Sequence, residues 1–168
     1  MALPKVLKNF TCFVNGFGYA GKVDEIELPK ITLQTEDHRA GGMDTPAKLD
    51  MGTEPLEATI TFAEYDPKLF PMFGLVDGAW VGLVFRGAQQ SGDGEAEPVM
   101  VVLRGALSEL DMGSWKSGEK NQFKVSVSAM YYLLTVNDIP MVEIDVENMR
   151  RVIGGVDQLA SQRRAMGV

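Results

Sequence analysis

Residues 123–136, FKVSVSAMYYLLTV, change character half-way. Phe123, Val125, Val127 and Ala129 alternate with Lys124, Ser126 and Ser128. That period of two belongs to a strand with one face in a core and one in water. From Met130 onward both faces are apolar: Tyr131 and Leu133 on one, Met130, Tyr132, Leu134 and Val136 on the other. A strand apolar on both faces needs a cover on both. A chain of 168 residues has little material for two covers. The second cover is therefore expected from a helix or from another copy of the chain, and assembly becomes the first functional question.

The length predicts a single domain, 1–168, with one core. The opening MALPKVLKNF has no apolar segment followed by a small-residue cleavage site, so no signal peptide is expected. No run of about 18 apolar residues exists to make a transmembrane helix. A single cysteine, Cys12, rules out an internal disulfide. The net charge of −7 is uneven: residues 147–168 set four arginines against Glu147 and Asp157, so an acidic body carries a basic end. An acidic body does not grip phosphates, because that affinity comes from Lys and Arg displacing counterions.

Most of the chain reads as β. Phe10–Val14 leads into Asn15-Gly16, a hairpin dipeptide. Tyr19–Leu28 and 31–36 alternate on either side of Pro29, and Leu56, Ala58, Ile60 and Phe62 alternate with Glu57, Thr59 and Thr61. Between them, residues 38–53 show little regular pattern and predict a long contact loop. Asp66–Leu75 predicts a short helix, capped by Asp66 and limited by Pro71. Further strands are expected at Trp80–Ala88, Val99–Leu110 and Met141–Val146. A terminal helix is expected over 156–165, with Val156, Leu159 and Ala160 inward and the arginines outward. The order predicts a mainly β, antiparallel sandwich or barrel-like subunit with one short internal helix and a C-terminal one.

Motifs for chemistry are sparse. Gly16, Gly18 and Gly21 match G-x-G-x-x-G, but a dinucleotide site needs a helix starting at the glycines, and a strand pattern follows instead. His38, the single histidine, is expected on a loop and has no partner motif for a metal or a nucleophile. Glu143, Asp145 and Glu147 share one strand face, more simply as a wet face than as a cation site. Cys12 sits among apolar residues and reads as core. No enzyme and no cofactor are expected.

Several segments in order carry a resemblance: the opening MALPKVLKNF with NGFGYAG and LPKIT, the loop EDHRAGGMDTPAKLDMG, and the end MVEIDVENMRRVIGGVDQLASQRRAMGV. Over nearly its whole length the chain resembles the major tail tube proteins of contractile-tailed bacteriophages and of the pyocin-like R-type tailocins. It departs where the family pattern has an asparagine before Gly-Val-Asp, here glycine in the Gly154-Gly155 pair.

The resemblance implies hexameric rings stacked into a hollow tube, with strands of each subunit joined into one barrel around the channel. It implies a virion tail or tailocin particle assembled in the host cytoplasm. The implied partners are the tail sheath, baseplate and tail-terminator proteins, a tape-measure protein in the lumen, and DNA passing without specific binding, or ions in a tailocin. Within that frame Glu57, Thr59, Thr61, Lys124, Ser126 and Ser128 are candidates to face the lumen. Arg39, Gly41, Gly42, Met43, Met130, Tyr132, Leu134, Arg163 and Arg164 are candidates for contacts between subunits or rings. The competing readings are a type VI-like secretion tube and a small β-barrel ligand-binding module.

Overall fold

The computed structural model describes residues 3–74 and 80–168. In chain order the strands are β1 (Val6–Val14), β2 (Phe17–Gly18), β3 (Val23–Glu27), β4 (Leu33–His38), β5 (Ala47–Thr53) and β6 (Leu56–Phe62). They continue with β7 (Val81–Gln90), β8 (Glu97–Asp111), β9 (Phe123–Val136), β10 (Ile139–Asp145), β11 (Arg150–Ile153) and β12 (Val156–Asp157). One helix, α1 (Ala160–Met166), follows. The subunit is mainly β and antiparallel, as the alternation predicts.

Three two-residue turns set the hairpins. Asn15-Gly16 has φ of 47° and 84°, Asn137-Asp138 of 52° and 61°, and Gly154-Gly155 of 58° and 85°. Paired positive φ values match the right-handed twist of the flanking strands, and Asn, Asp and Gly reach them most cheaply. Each turn thereby fixes a register: Val14 opposite Phe17, Val136 opposite Ile139, Ile153 opposite Val156.

The main sheet runs β12-β11-β10-β9-β8-β7-β1-β2. A branch leaves it at β9. Its first half pairs with β6, from Phe62 opposite Phe123 to Leu56 opposite Ala129, and β3 pairs with β6. Along the same edge the second half of β9 pairs with β10. β8 follows the other edge of β9 throughout, whereas β7 reaches only its Glu97–Gly105 part. The long strands β8 and β9 therefore belong to two layers. One core lies between the layers and joins Leu56, Ile60 and Phe62 of the branch to Cys12, Leu83, Phe85 and Leu103 of the main sheet. Fully burying side chains of this size contributes about 1.5–3 kcal/mol each.

The break in the β9 pattern has a structural cause. Arg104 faces Tyr131 and Gly105 faces Ala129, so Met130 is an extra residue in the ladder. A bulge inverts side-chain parity. Val125, Val127 and Ala129 point into the core before it, and Tyr132 does so after it. The two strands come very close here: a Cβ on Gly105 would lie 2.0 Å from the Ser128 carbonyl oxygen. Only glycine fits.

Three predicted elements differ. The helix at Asp66–Leu75 is reduced to one 3-10 turn, Phe70–Met72, since Pro67 and Pro71 remove the donors a longer helix needs. Leu75 lies outside the described residues. Half of the expected loop 38–53 is a strand: β4 and β5 form a separate two-stranded ribbon, and the true connection is 39–46. Nearly all of its residues face solvent, so no buried face writes an alternating pattern into the sequence. The terminal helix begins at Ala160, because Gly154-Gly155 turns the chain into β12 first. Val156, expected inward, is exposed.

Candidate functional site

The six candidate lumen residues come together on one surface. The register sets Glu57 opposite Ser128, Thr59 opposite Ser126 and Thr61 opposite Lys124. Residues directly opposite in an antiparallel pair project from the same face. Neighbouring strands extend it. Glu25 and Glu27 of β3 stand opposite Thr61 and Thr59, and Glu109 and Asp111 of β8 stand opposite Ser126 and Lys124. The four strands β3-β6-β9-β8 thus carry five carboxylates and Lys124 on one face, with Leu56, Ala58, Ile60, Phe62, Phe123, Val125 and Val127 on the other. Thr61, flanked by Glu25 and Lys124, is itself buried, which corrects its placement as a water-facing residue. The sequence reading missed the β3 and β8 carboxylates; the alternation of Glu25 and Glu27 with Ile26 signals the first pair.

This four-stranded layer has two open edges. Among the described residues β3 pairs only with β6. β8 loses β7 after Gly105, and an isolated bridge from Phe73 covers it at Leu107, leaving the stretch beyond without a strand partner among the described residues. The strand directions alternate across the layer. A β3 edge from one copy would therefore meet the β8 edge of another as a further antiparallel pair.

The contact candidates divide. Tyr132 lies in the subunit's own core, and Leu134 packs against that core. The bulge at Met130 turns both toward the core, so Tyr132 is not a surface contact residue, whereas Leu134 stays half-buried; Tyr131 and Leu133 take the outer face. Met130 remains half-buried beside Trp80, Arg104 and Tyr131. Arg39, Gly41, Gly42 and Met43 form a compact turn at the ribbon tip: Arg39 Nε donates to the Met43 carbonyl at 3.3 Å, and Gly42 has a φ of 88°. Arg163 does not point outward. Its guanidinium binds Asp157 and donates to the Met149 carbonyl at 2.7 Å, anchoring α1 to β12. That guanidinium holds the Asp157 carboxyl below the usual range. Arg164 is exposed.

One ion pair ties the ribbon to the body. Arg151 of β11, mostly buried, donates to Asp50 of β5 at 2.9 Å. The Gly52 amide and Arg151 together hold the Asp50 carboxyl below its ordinary value.

Among the described residues no reaction centre accompanies these surfaces. Cys12 is buried, and burial pushes its thiol up to about 12, far from a nucleophile's range. β3, not a helix, follows the glycine motif. His38 ends β4 in solvent. Asp145 caps Asn148, and Arg150 lies 3.8 Å from Glu143. Among the described residues no group of three His, Cys, Asp or Glu side chains converges on a metal-sized point.

The sequence matches the family described as phage tail tube protein FII over residues 4–167. The chain belongs to the phage tail tube protein family. It is 34% identical over 172 residues to the tail tube protein of Escherichia phage P2, covering 100% of both chains. It is also 34% identical over 150 residues to the major tail tube protein of Serratia phage KSP20, covering 88% of this chain and 86% of that one. This is a structural family and not a family of enzymes, and its place is the tail of the virion. The resemblance drawn from the RAGGM and VEID segments is borne out.

Proposed function

We propose that six subunits close side by side into a ring, that rings stack into a hollow tube within a contractile sheath, and that the β3-β6-β9-β8 layer lines the channel. One observation carries the reading: a four-stranded antiparallel layer with a core on one face, an acidic polar surface on the other, and an open edge on each side. Open edges are a hazard that closure into a barrel removes. Joining the β3 edge of one copy to the β8 edge of the next does so without reversing the alternation. The contact is heterologous, the kind that builds rings and filaments.

The carboxylates give the channel its chemistry. A wall bearing Glu25, Glu27, Glu57, Glu109 and Asp111 repels phosphates, so DNA passes without adhering. The sheath protein covers the outside, the tape-measure protein fills the lumen during assembly, and baseplate and terminator proteins bound the two ends.

The test reverses the channel charge. Glu27→Lys with Glu57→Lys, both on exposed positions, is expected to leave hollow tubes visible by negative-stain electron microscopy. DNA release from particles carrying them should slow. Tubes with unchanged release would remove this face from the channel. Purified wild-type protein that never forms rings or tubes would overturn the assembly itself.

A further inference from the structure

The two open edges of the channel layer are unfinished in the same way. On its core side β3 presents Ile26 and β8 presents Leu110; both pack against the core yet stay half-buried. On the opposite side Glu25 and Glu27 flank Ile26, and Glu109 and Asp111 flank Leu110, all four exposed. Each edge therefore carries the same order: carboxylate, apolar, carboxylate. Side chains alternate strictly between the two faces of a sheet. A joint that brings core side to core side also brings acid side to acid side.

An antiparallel joint with Ile26 of one copy opposite Leu110 of the next continues the core across the seam. It sets Glu27 opposite Glu109 and Glu25 opposite Asp111. Leu28, exposed just past β3, then comes beside Phe73, exposed where it bridges Leu107. Sliding the joint by two residues toward the Asp111 end still sets Glu27 against Asp111. Few cations are free to relieve this. Lys22 pairs with Glu64, Lys116 with Glu119 and Lys120 with Asp24. Among the described residues none of the four seam carboxylates makes an ion pair. Lys124 stands opposite Asp111 on β9, and Lys30 lines the groove beside Glu27, which Glu54 and Glu57 share.

We infer that this seam is gated by charge: its apolar side drives ring closure, and its opposed carboxylates resist closure until salt screens them. The inference rests on the tube reading and adds the control of its lateral joint. Like charges directly opposite across a strand pair are destabilising. Their reach falls from about 30 Å at ~0.01 M salt to about 8 Å at ~0.15 M. In dilute salt subunits stay separate; at higher salt the core side prevails. The acid rows that keep DNA from adhering thus also set the conditions under which the channel forms.

The test measures the protein concentration at which tubes appear, by light scattering and negative-stain electron microscopy, at both salt levels. The wild-type chain is expected to need several-fold more protein in dilute salt. Glu27→Lys and Glu109→Lys, both at exposed positions, should each erase most of that difference, because each turns an opposed pair into an attraction. Combined, they set lysine against lysine, and the difference should return. A general loss of negative charge would instead make the double variant assemble more readily than either single one. That result overturns the inference, as do single variants that assemble no better than wild type, or a wild type indifferent to salt. Tubes still form in those cases, so the channel reading stands. A wild-type chain that forms no rings at either salt level overturns both.

Discussion

The two halves of β9 share a strand, a partner, β8, and a core on the same side, yet they leave unlike surfaces open. In Phe123–Ala129 the core face is closed and the other face is Lys124, Ser126 and Ser128, which water satisfies. In Tyr131–Val136 the core face is Tyr132 and Leu134, and the other face is Tyr131 and Leu133, half-buried beside Val102 of β8 and Glu143 of β10. The single inserted residue, Met130, separates them. Without it the parity of the first half would carry into the second, turning Tyr132 out of the core. A bulge at a layer boundary thus lets one strand serve a hydrated wall and then a two-sided apolar layer.

The largest effect should come from placing the same charge on each half. Tyr132→Asp puts a carboxylate where the core allows it no partner, and the loss should exceed about 4 kcal/mol, enough to abolish folding. Ser126→Asp adds a carboxylate opposite Glu109 on the polar face and should cost less than about 1 kcal/mol. Urea denaturation of unassembled subunits measures both. Similar losses would mean that the two halves do not differ in burial as described.

A smaller effect tests the boundary itself. Gly105→Ala drives a methyl into the Ser128 carbonyl, and the strands must separate or the bulge must move. Overpacking of this kind costs about 1–3 kcal/mol, and a collision with backbone belongs at the upper end. The same denaturation series reads it. A neutral result would show that the two strands can part at the corner, weakening the account of Met130.

How much of this was legible follows from what writes a pattern. Leu56–Phe62 was predicted to the residue, because one face is core and the other water. Asn15-Gly16 and Asn137-Asp138 marked their turns by chemistry alone. The ribbon was half missed because nearly all of it is wet, and β11 and β12 because they are short and flank two glycines. The polar face was legible strand by strand, but its assembly was not. That Glu57 meets Ser128, and that Glu109 joins them, depends on register between segments about 70 and 20 residues apart, which local alternation does not encode. The parity inversion at Met130 appeared in the sequence only as an excess of apolar residues.

The smallest effect concerns the ribbon, which is as wet as the polar face yet held by one buried group. Arg151 is mostly buried and its Nε has no partner, so Asp50 supplies the carboxylate its charge needs. The Asp50 carboxyl is held below its ordinary value, first by the Gly52 amide and then by Arg151. A depressed carboxylate stabilises the fold fully above its unfolded value, about 3.9, and that contribution fades as pH falls through the folded value. The clasp should therefore be intact at neutral pH and released only in acid. Asp50 is partly exposed, so global unfolding is a poor readout; hydrogen exchange of the β4 and β5 amides is the sensitive one. In the natural chain those amides should lose protection only as pH drops below the ordinary Asp range. In Asp50→Asn they should be less protected at neutral pH already, with the acid step gone. Equal protection in both chains at neutral pH would mean that packing, and not this ion pair, holds the ribbon to the body.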